Sequence, residues 1–329
     1  QTDRQTDRQT DRQTDRTPYK IVIWGIGNDY DWLYNQIQFE ILKKNIVCEA
    51  LVCRDADAYT SVKDGFPVIK RSDFHTLIFD YLIISSSQYF DEIKEDVLSL
   101  GVRENQIIDG RIVRQPFFDF ARYASLIEDP VTILSDDCWG GYAYNRLRLP
   151  FTSPLINIYW DREQYARFIQ KPLFYLDTEL QMVREGDLFE GIHPIGQLGA
   201  DGDFVELKFI HCYNFSNAIE QWDRRVKRIN RNNLFVKMGF SNATKPEQKE
   251  EWLEAFRKVN YKKVLFYNGK EEMPEIFKEA NGRFIWSQMT ADRVDVFDYN
   301  DYLRNCYPWD LDLLKMLTDG KNYSRYSFS

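Results

Sequence analysis

From residue 18 almost to the end of the chain, strand-length apolar runs alternate with amphipathic stretches, and this alternation restricts the fold more than any other feature. A strand, a helix and a further strand require a crossover connection, which yields parallel pairing in sheets covered on both faces. Tyr19–Trp24 reads as a first strand, Gly25-Ile26-Gly27-Asn28 as a turn and Asp31–Lys44 as a helix. Val47–Cys53, Tyr81–Ser85 and Gln106–Asp109 continue the strands, with a short segment at Phe66–Ile69 and a helix at Phe90–Leu100 that Gly101 stops. Beyond a join near Arg114–Phe120 the pattern restarts. Strands are expected at Val131–Ser135, Leu155–Tyr159, Phe204–His211, Leu234–Phe240, Lys263–Tyr267 and Arg283–Ser287. Helices are expected at Tyr142–Leu147, Arg162–Ile169, Asn217–Ile229, Pro246–Val259, Met273–Ala280 and Trp309–Leu317.

The expected fold is therefore α/β: two Rossmann-like three-layer modules with mostly parallel sheets, at residues 17–115 and 116–329. A hydrophobic fraction of 43% and an aromatic fraction of 16% supply both cores. Residues 1–16 stand outside this pattern. They read Gln-Thr-Asp-Arg four times, contain nothing to bury and are expected to be disordered. A GACA tetranucleotide repeat encodes such a run, and polymerase slippage within it shifts the downstream reading frame. Expression is therefore expected to switch on and off, that is, to be phase-variable.

The run's aspartates and arginines cancel, so the net charge of −8 belongs to the rest of the chain. An acidic protein is not a general nucleic-acid binder, and any phosphate-bearing ligand must meet a local basic patch. The five cysteines, Cys48, Cys53, Cys138, Cys212 and Cys306, form no Cys-x-x-Cys pair and suit reduced thiols. With no leader pattern and no apolar run near the ~18 residues of a membrane span, a cytoplasmic protein without an integral membrane segment is expected.

Three places carry candidate chemistry. Gly25, Gly27 and Asn28 follow the first strand where a dinucleotide fold keeps its phosphate loop, but Tyr30 replaces the third glycine of that fingerprint. Asp55, a candidate ribose ligand, lies further along the chain than usual. The second place is Asp136-Asp137-Cys138-Trp139-Gly140-Gly141, between a strand and a helix. The carboxylates are candidate catalytic groups, the thiol a candidate nucleophile, and the glycines admit a ligand to the backbone. The competing reading is a capping turn with Cys138 buried and Trp139 packed. The third is a basic stripe of Arg224, Arg228 and Arg231 with Arg225 at its border, followed by Asn230, suited to phosphate. Its competing reading is a solvated face on which Glu220 pairs with Arg224 and Asp223 with Lys227. His211, ending a strand, is a candidate acid–base and His193 a candidate ligand contact. Asp201-Gly202-Asp203 has an Asp-x-Asp form but precedes a strand, which counts against a metal role, and no metal site is expected.

Several motifs carry a resemblance: Cys138-Trp139-Gly140-Gly141, Leu149-Pro150-x-x-Ser153-Pro154, Pro194-x-Gly196, His211-x-Tyr213, Trp222-x-Arg224-Arg225, Arg228-Ile229-Asn230 and Asn233-Leu234-Phe235. Over residues 120–300 the chain resembles the bacterial family called domain of unknown function 1919, whose members are labelled exopolysaccharide-biosynthesis proteins. Many members carry Asn where this chain has Asp136 or Asp137, which the resemblance takes to mean polar contact or capping rather than a metal. The first hundred residues, including Gly65-Phe66-Pro67-Val68-Ile69, resemble the N-terminal domain of sugar acyltransferases that bind a nucleotide sugar. The resemblance implies a transferase of surface-polysaccharide or lipooligosaccharide assembly, with a nucleotide sugar as donor, a glycan as substrate and no other cofactor. A non-catalytic nucleotide-sugar-binding or regulatory protein of the same pathway, and an acyl or phosphoryl transferase acting on a glycan, are the alternatives.

Overall fold

The computed structural model describes residues 17–54, 61–115, 117–188, 191–241, 246–268, 284–287 and 312–319. The Gln-Thr-Asp-Arg run, Asp55, the helix expected at 273–280 and Cys306 lie outside the described residues. The chain divides into two compact units between Arg114 and Gln115.

The first unit runs β1 (Tyr19–Trp24), α1 (Asn28–Leu42), β2 (Ile46–Cys53), β3 (Val62–Lys63), β4 (Phe66–Lys70), β5 (Tyr81–Ile84), α2 (Phe90–Ser99), β6 (Ile107–Asp109) and α3 (Gly110–Val113). The sheet order is β3-β4-β2-β1-β5-β6, and every pair except β3/β4 is parallel. The centre falls to β1 and β5 because Val22, Ile23, Leu82, Ile83 and Ile84 are apolar on both faces and fully buried. Between β3 and β4, Asp64 and Gly65 both take positive φ (53° and 84°), the conformation of a two-residue hairpin turn.

The second unit begins with α4 (Phe120–Glu128), β7 (Thr132–Ser135), α5 (Trp139–Leu147), α6 (Arg162–Phe168) and α7 (Pro172–Leu176). Then follow β8 (Gln181–Leu188), β9 (Gly191–Ala200), β10 (Asp203–Lys208), α8 (Phe215–Val226), β11 (Leu234–Ser241), α9 (Pro246–Lys258), β12 (Lys262–Asn268), β13 (Phe284–Ser287) and α10 (Leu313–Asp319). A parallel sheet of order β13-β12-β11-β7 stands beside an antiparallel one of order β10-β9-β8. The chain is thus a mixed α/β protein whose main sheets are largely parallel. An aromatic cluster that includes Trp160, Tyr165, Phe168, Tyr175, Phe209 and Trp222 forms much of the second core.

Two expectations need correction here. Leu155–Tyr159 is a turn, with Ile158 N–H donating to Leu155 O at 3.2 Å, and only Tyr159 bridges a strand, at Lys208. Pro154 and the positive φ of Asn157 (61°) interrupt the apolar run. Of the antiparallel meander only β10 is expected from the sequence, within Phe204–His211; β8 and β9 are not, because glycines and Pro194 break their strand pattern. Gly196 lies in β9 because a Cβ there would sit 2.6 Å from Leu180 Cδ1 and 3.0 Å from Phe209 Cε2. Those side chains cross over the strand in the space it leaves. Asp201 and Gly202 form the β9–β10 hairpin turn, and Asp203 receives the Tyr175 hydroxyl at 2.7 Å and pairs with Lys171. The Asp-x-Asp sequence is therefore turn chemistry. Among the described residues no helix is long and apolar enough to cross a membrane.

Candidate functional site

β7 runs parallel beside β11, with Ser135 in register with Lys237. The chain leaves β7 at its C-terminal end, passes Asp136 and Asp137 and enters α5 after Cys138. Both carboxylates are buried. Lys237 Nζ lies 2.8 Å from Asp136 Oδ1 and 2.6 Å from Asp137 Oδ2. Arg162 pairs with Asp136 Oδ2, which also accepts the Gly239 N–H at 3.0 Å. Asp137 Oδ1 accepts the Trp139 N–H at 2.9 Å and the Ser135 hydroxyl at 3.1 Å, so it caps the start of α5. Two anions are matched by two cations, as burial demands. Burial alone would pull the Lys237 ammonium down, but the two carboxylates outweigh it and hold its pKa above the ordinary lysine value. These contacts lock the loop to β11 and α6, and Asp137 takes the capping place of the competing reading.

Directly beyond this lock opens a pocket of about 370 Å³. Cys138, Gly141, Tyr142 and Asn145 contribute one side of it, spaced to share one helical face. Phe151, Ile156 and Asn157 come from the following loop, His211 from the turn after β10, and Arg224, Arg225 and Arg228 from α8. The loop and the basic stripe, more than eighty residues apart in sequence, thus meet at one cavity.

The three arginines differ. Arg225 donates to Ile156 O and to Gln221 Oε1, each at 2.6 Å. Burial lowers its pKa, the neighbouring Cys212 opposes that, and Arg224 and Arg228 add to the lowering. Arg224 and Arg228 have no ion-pair partner among the described residues, and Glu220 and Asp223 do not form the i, i+4 pairs of the solvated-face reading. Crowding cations without carboxylates is unfavourable until an anion arrives. Burial, with Asp137 adding and Lys237 opposing, pushes the Cys138 thiol up to about 11. It is protonated at neutral pH and offers no ready thiolate.

The remaining candidates fall elsewhere. Trp139 is buried, and Gly140 turns inward, where a Cβ would lie 3.2 Å from Ile133 Cγ2, so packing explains both residues. His193 sits on β9 opposite Gly186 and does not line the pocket. Asn230 donates to Asp129 Oδ1 at 2.6 Å and Pro130 O at 2.8 Å, closing the segment before β7. Gly25, Gly27 and Asn28 line a separate crevice of about 880 Å³ with Ser85, Ser86 and Ser87, at the C-terminal edge of the first sheet. Gly25 has φ 98°, and a Cβ there would meet Ser85 Oγ at 2.6 Å. The charges in this crevice are already engaged. Asp29 accepts Ser87 N–H at 2.7 Å, which holds its carboxyl below the usual range against a smaller opposing effect of burial, and Arg54 pairs with Glu92 at 2.7 Å.

Sequence reasoning missed Lys237 and Arg162, and also Tyr142, Asn145, Phe151 and Asn157 in the pocket wall. A lysine inside the apolar run Leu234–Phe240 was the available signal for the first. The helical spacing from Cys138 was the signal for Tyr142 and Asn145.

Residues 109–304 match the family model described as domain of unknown function (DUF1919), and residues 17–108 match one described as C2185-like, N-terminal. An uncharacterized protein of Haemophilus influenzae Rd is 32% identical over 126 residues, which cover 38% of this chain and 57% of that relative. The match thus spans little more than half the relative's length.

Proposed function

The chain belongs to the family of domain of unknown function (DUF1919), and from that membership and its arginine-lined pocket we propose that it is a transferase of surface-polysaccharide or lipooligosaccharide assembly using a nucleotide-activated sugar. The observation that carries this reading is the pair Arg224 and Arg228, facing a cavity without a carboxylate partner among the described residues of a chain of net charge −8. Guanidinium groups match a diphosphate in charge and in hydrogen-bond geometry. In the reaction an acceptor hydroxyl oxygen bonds to the sugar carbon, and the bond from that carbon to the diphosphate oxygen breaks. The electron pair leaves with the diphosphate, where Arg224 and Arg228 offset the added charge. His211 takes the hydroxyl proton. Arg225 holds the Ile156 turn, and the Asp136–Asp137–Lys237–Arg162 cluster holds the loop, so these act by position. In this proposal both units are Rossmann-like modules, the protein is cytoplasmic and its expression is phase-variable.

A second reading is a non-catalytic nucleotide-sugar binder acting through the first unit, and the crevice there, more than twice the volume of the arginine pocket, favours it. Calorimetric titration of the full chain with inorganic pyrophosphate tests the first reading. Wild type should bind, and Arg224→Ala with Arg228→Ala should weaken binding at least about tenfold, the scale of a lost charge-assisted contact. Equal affinity of wild type and the double variant would remove the pocket from the argument.

A further inference from the structure

Resting on that reading, we infer that Tyr213 is the stacking platform for the nucleobase of the donor, which therefore lies across the rim of the arginine pocket. Tyr213 belongs to the His211-x-Tyr213 motif, of which only the histidine lines the cavity. Tyr213 is 93% exposed, more than any other large hydrophobic among the described residues. The backbone on either side of it is hydrogen-bonded. Phe209 and Cys212 are buried on either side of His211, and Cys212 N–H donates to Phe209 O at 3.1 Å. Directly after Tyr213, Asn214 caps α8 by accepting the Asn217 N–H at 2.9 Å. The ring is thus carried outward on backbone pinned at both ends, between a pocket-lining histidine and the helix that bears the arginines.

Size sets where the ligand must extend. A cavity of about 370 Å³ is near the lower end of the ~300–1,000 Å³ usual for small-molecule sites. The diphosphate belongs against Arg224 and Arg228, and the sugar beside His211, where its reacting carbon must lie. The nucleoside is then left to cross the rim. An exposed aromatic face is what an unpaired base stacks on, and the interaction tolerates any base because each has a π-face.

The test is calorimetric titration of the full chain with inorganic pyrophosphate, UDP, GDP and ADP. Tyr213→Ala should weaken binding of the nucleoside diphosphates about tenfold, the scale of one base–aromatic stack, and leave pyrophosphate affinity unchanged. Tyr213→Phe and Tyr213→Trp should keep nucleotide affinity. If Tyr213→Ala binds nucleotides like wild type, or loses pyrophosphate and nucleotides alike, stacking is refuted while the arginine pocket stands. If wild type binds neither pyrophosphate nor nucleotides, the pocket assignment and this inference fall together.

Discussion

A lysine ammonium buried as deeply as that of Lys237, 2% exposed, is tolerated only because Asp136 and Asp137 meet it within 2.8 Å. The arrangement is asymmetric under mutation. Lys237→Met removes one cation and leaves two adjacent carboxylates sharing Arg162, so folding stability should fall by about 3–5 kcal/mol, the usual cost of breaking a buried pair. Adding Asp137→Asn removes the surplus anion and should restore a large part of that loss. Urea denaturation of the single and double variants measures both. A Lys237→Met protein as stable as wild type would mean the cluster is not the anchor described above. The same geometry separates Asp137 from its sequence-level role. Position in the chain offered a ligand contact or a helix cap, and the contacts to Lys237, the Trp139 N–H and Ser135 fit the cap.

At the scale of elements, the two glycines of α5 are a contrast in cause. Gly140 is needed for close packing of α5 on Ile133, but at Gly141 a Cβ would make only an ordinary 3.8 Å contact with Ile156. Glycine inside a helix costs about 1 kcal/mol against alanine, so Gly141 weakens α5 for no packing return. Because Gly141 lines the arginine pocket, Gly141→Ala should stabilise the protein by up to about 1 kcal/mol and weaken pyrophosphate binding. Thermal denaturation and titration of one sample check both signs. A destabilised variant would show that the glycine serves the fold. This is also where the sequence was most and least readable. Buried parallel strands such as Tyr19–Trp24 and Tyr81–Ile84 announce themselves as apolar runs. The first two strands of the meander, Gln181–Leu188 and Gly191–Ala200, do not, because glycines interrupt their pattern: Gly186 leaves space for Ile195, and Gly196 for Leu180 and Phe209. The arginine stripe was legible as a helical face. Its convergence with the Cys138 loop was not, since that depends on the order of β7 and β11 in the sheet and on the turn at Asn157.

At the scale of the whole molecule, a net charge of −8 repels a phosphate-bearing ligand, yet that field is screened beyond about 8 Å at physiological salt. Capture is therefore decided locally, and the two units offer different local fields. In the first, Asp29 and Arg54 are already paired at the crevice; in the second, Arg224 and Arg228 are not, among the described residues. A ligand at a hundred times its dissociation constant stabilises the unit that binds it by about 2.7 kcal/mol. Amide hydrogen exchange reads that stabilisation segment by segment. With saturating UDP, exchange should slow in residues 132–158 and 209–228, the segments that build the arginine pocket. It should stay unchanged in residues 24–28 and 85–89, which line the crevice of the first unit. Slowing confined to the latter segments would transfer the nucleotide to the first unit and make the second reading the better one. Slowing in both would mean that each unit binds UDP, and the arginine pocket would no longer be the sole nucleotide site among the described residues.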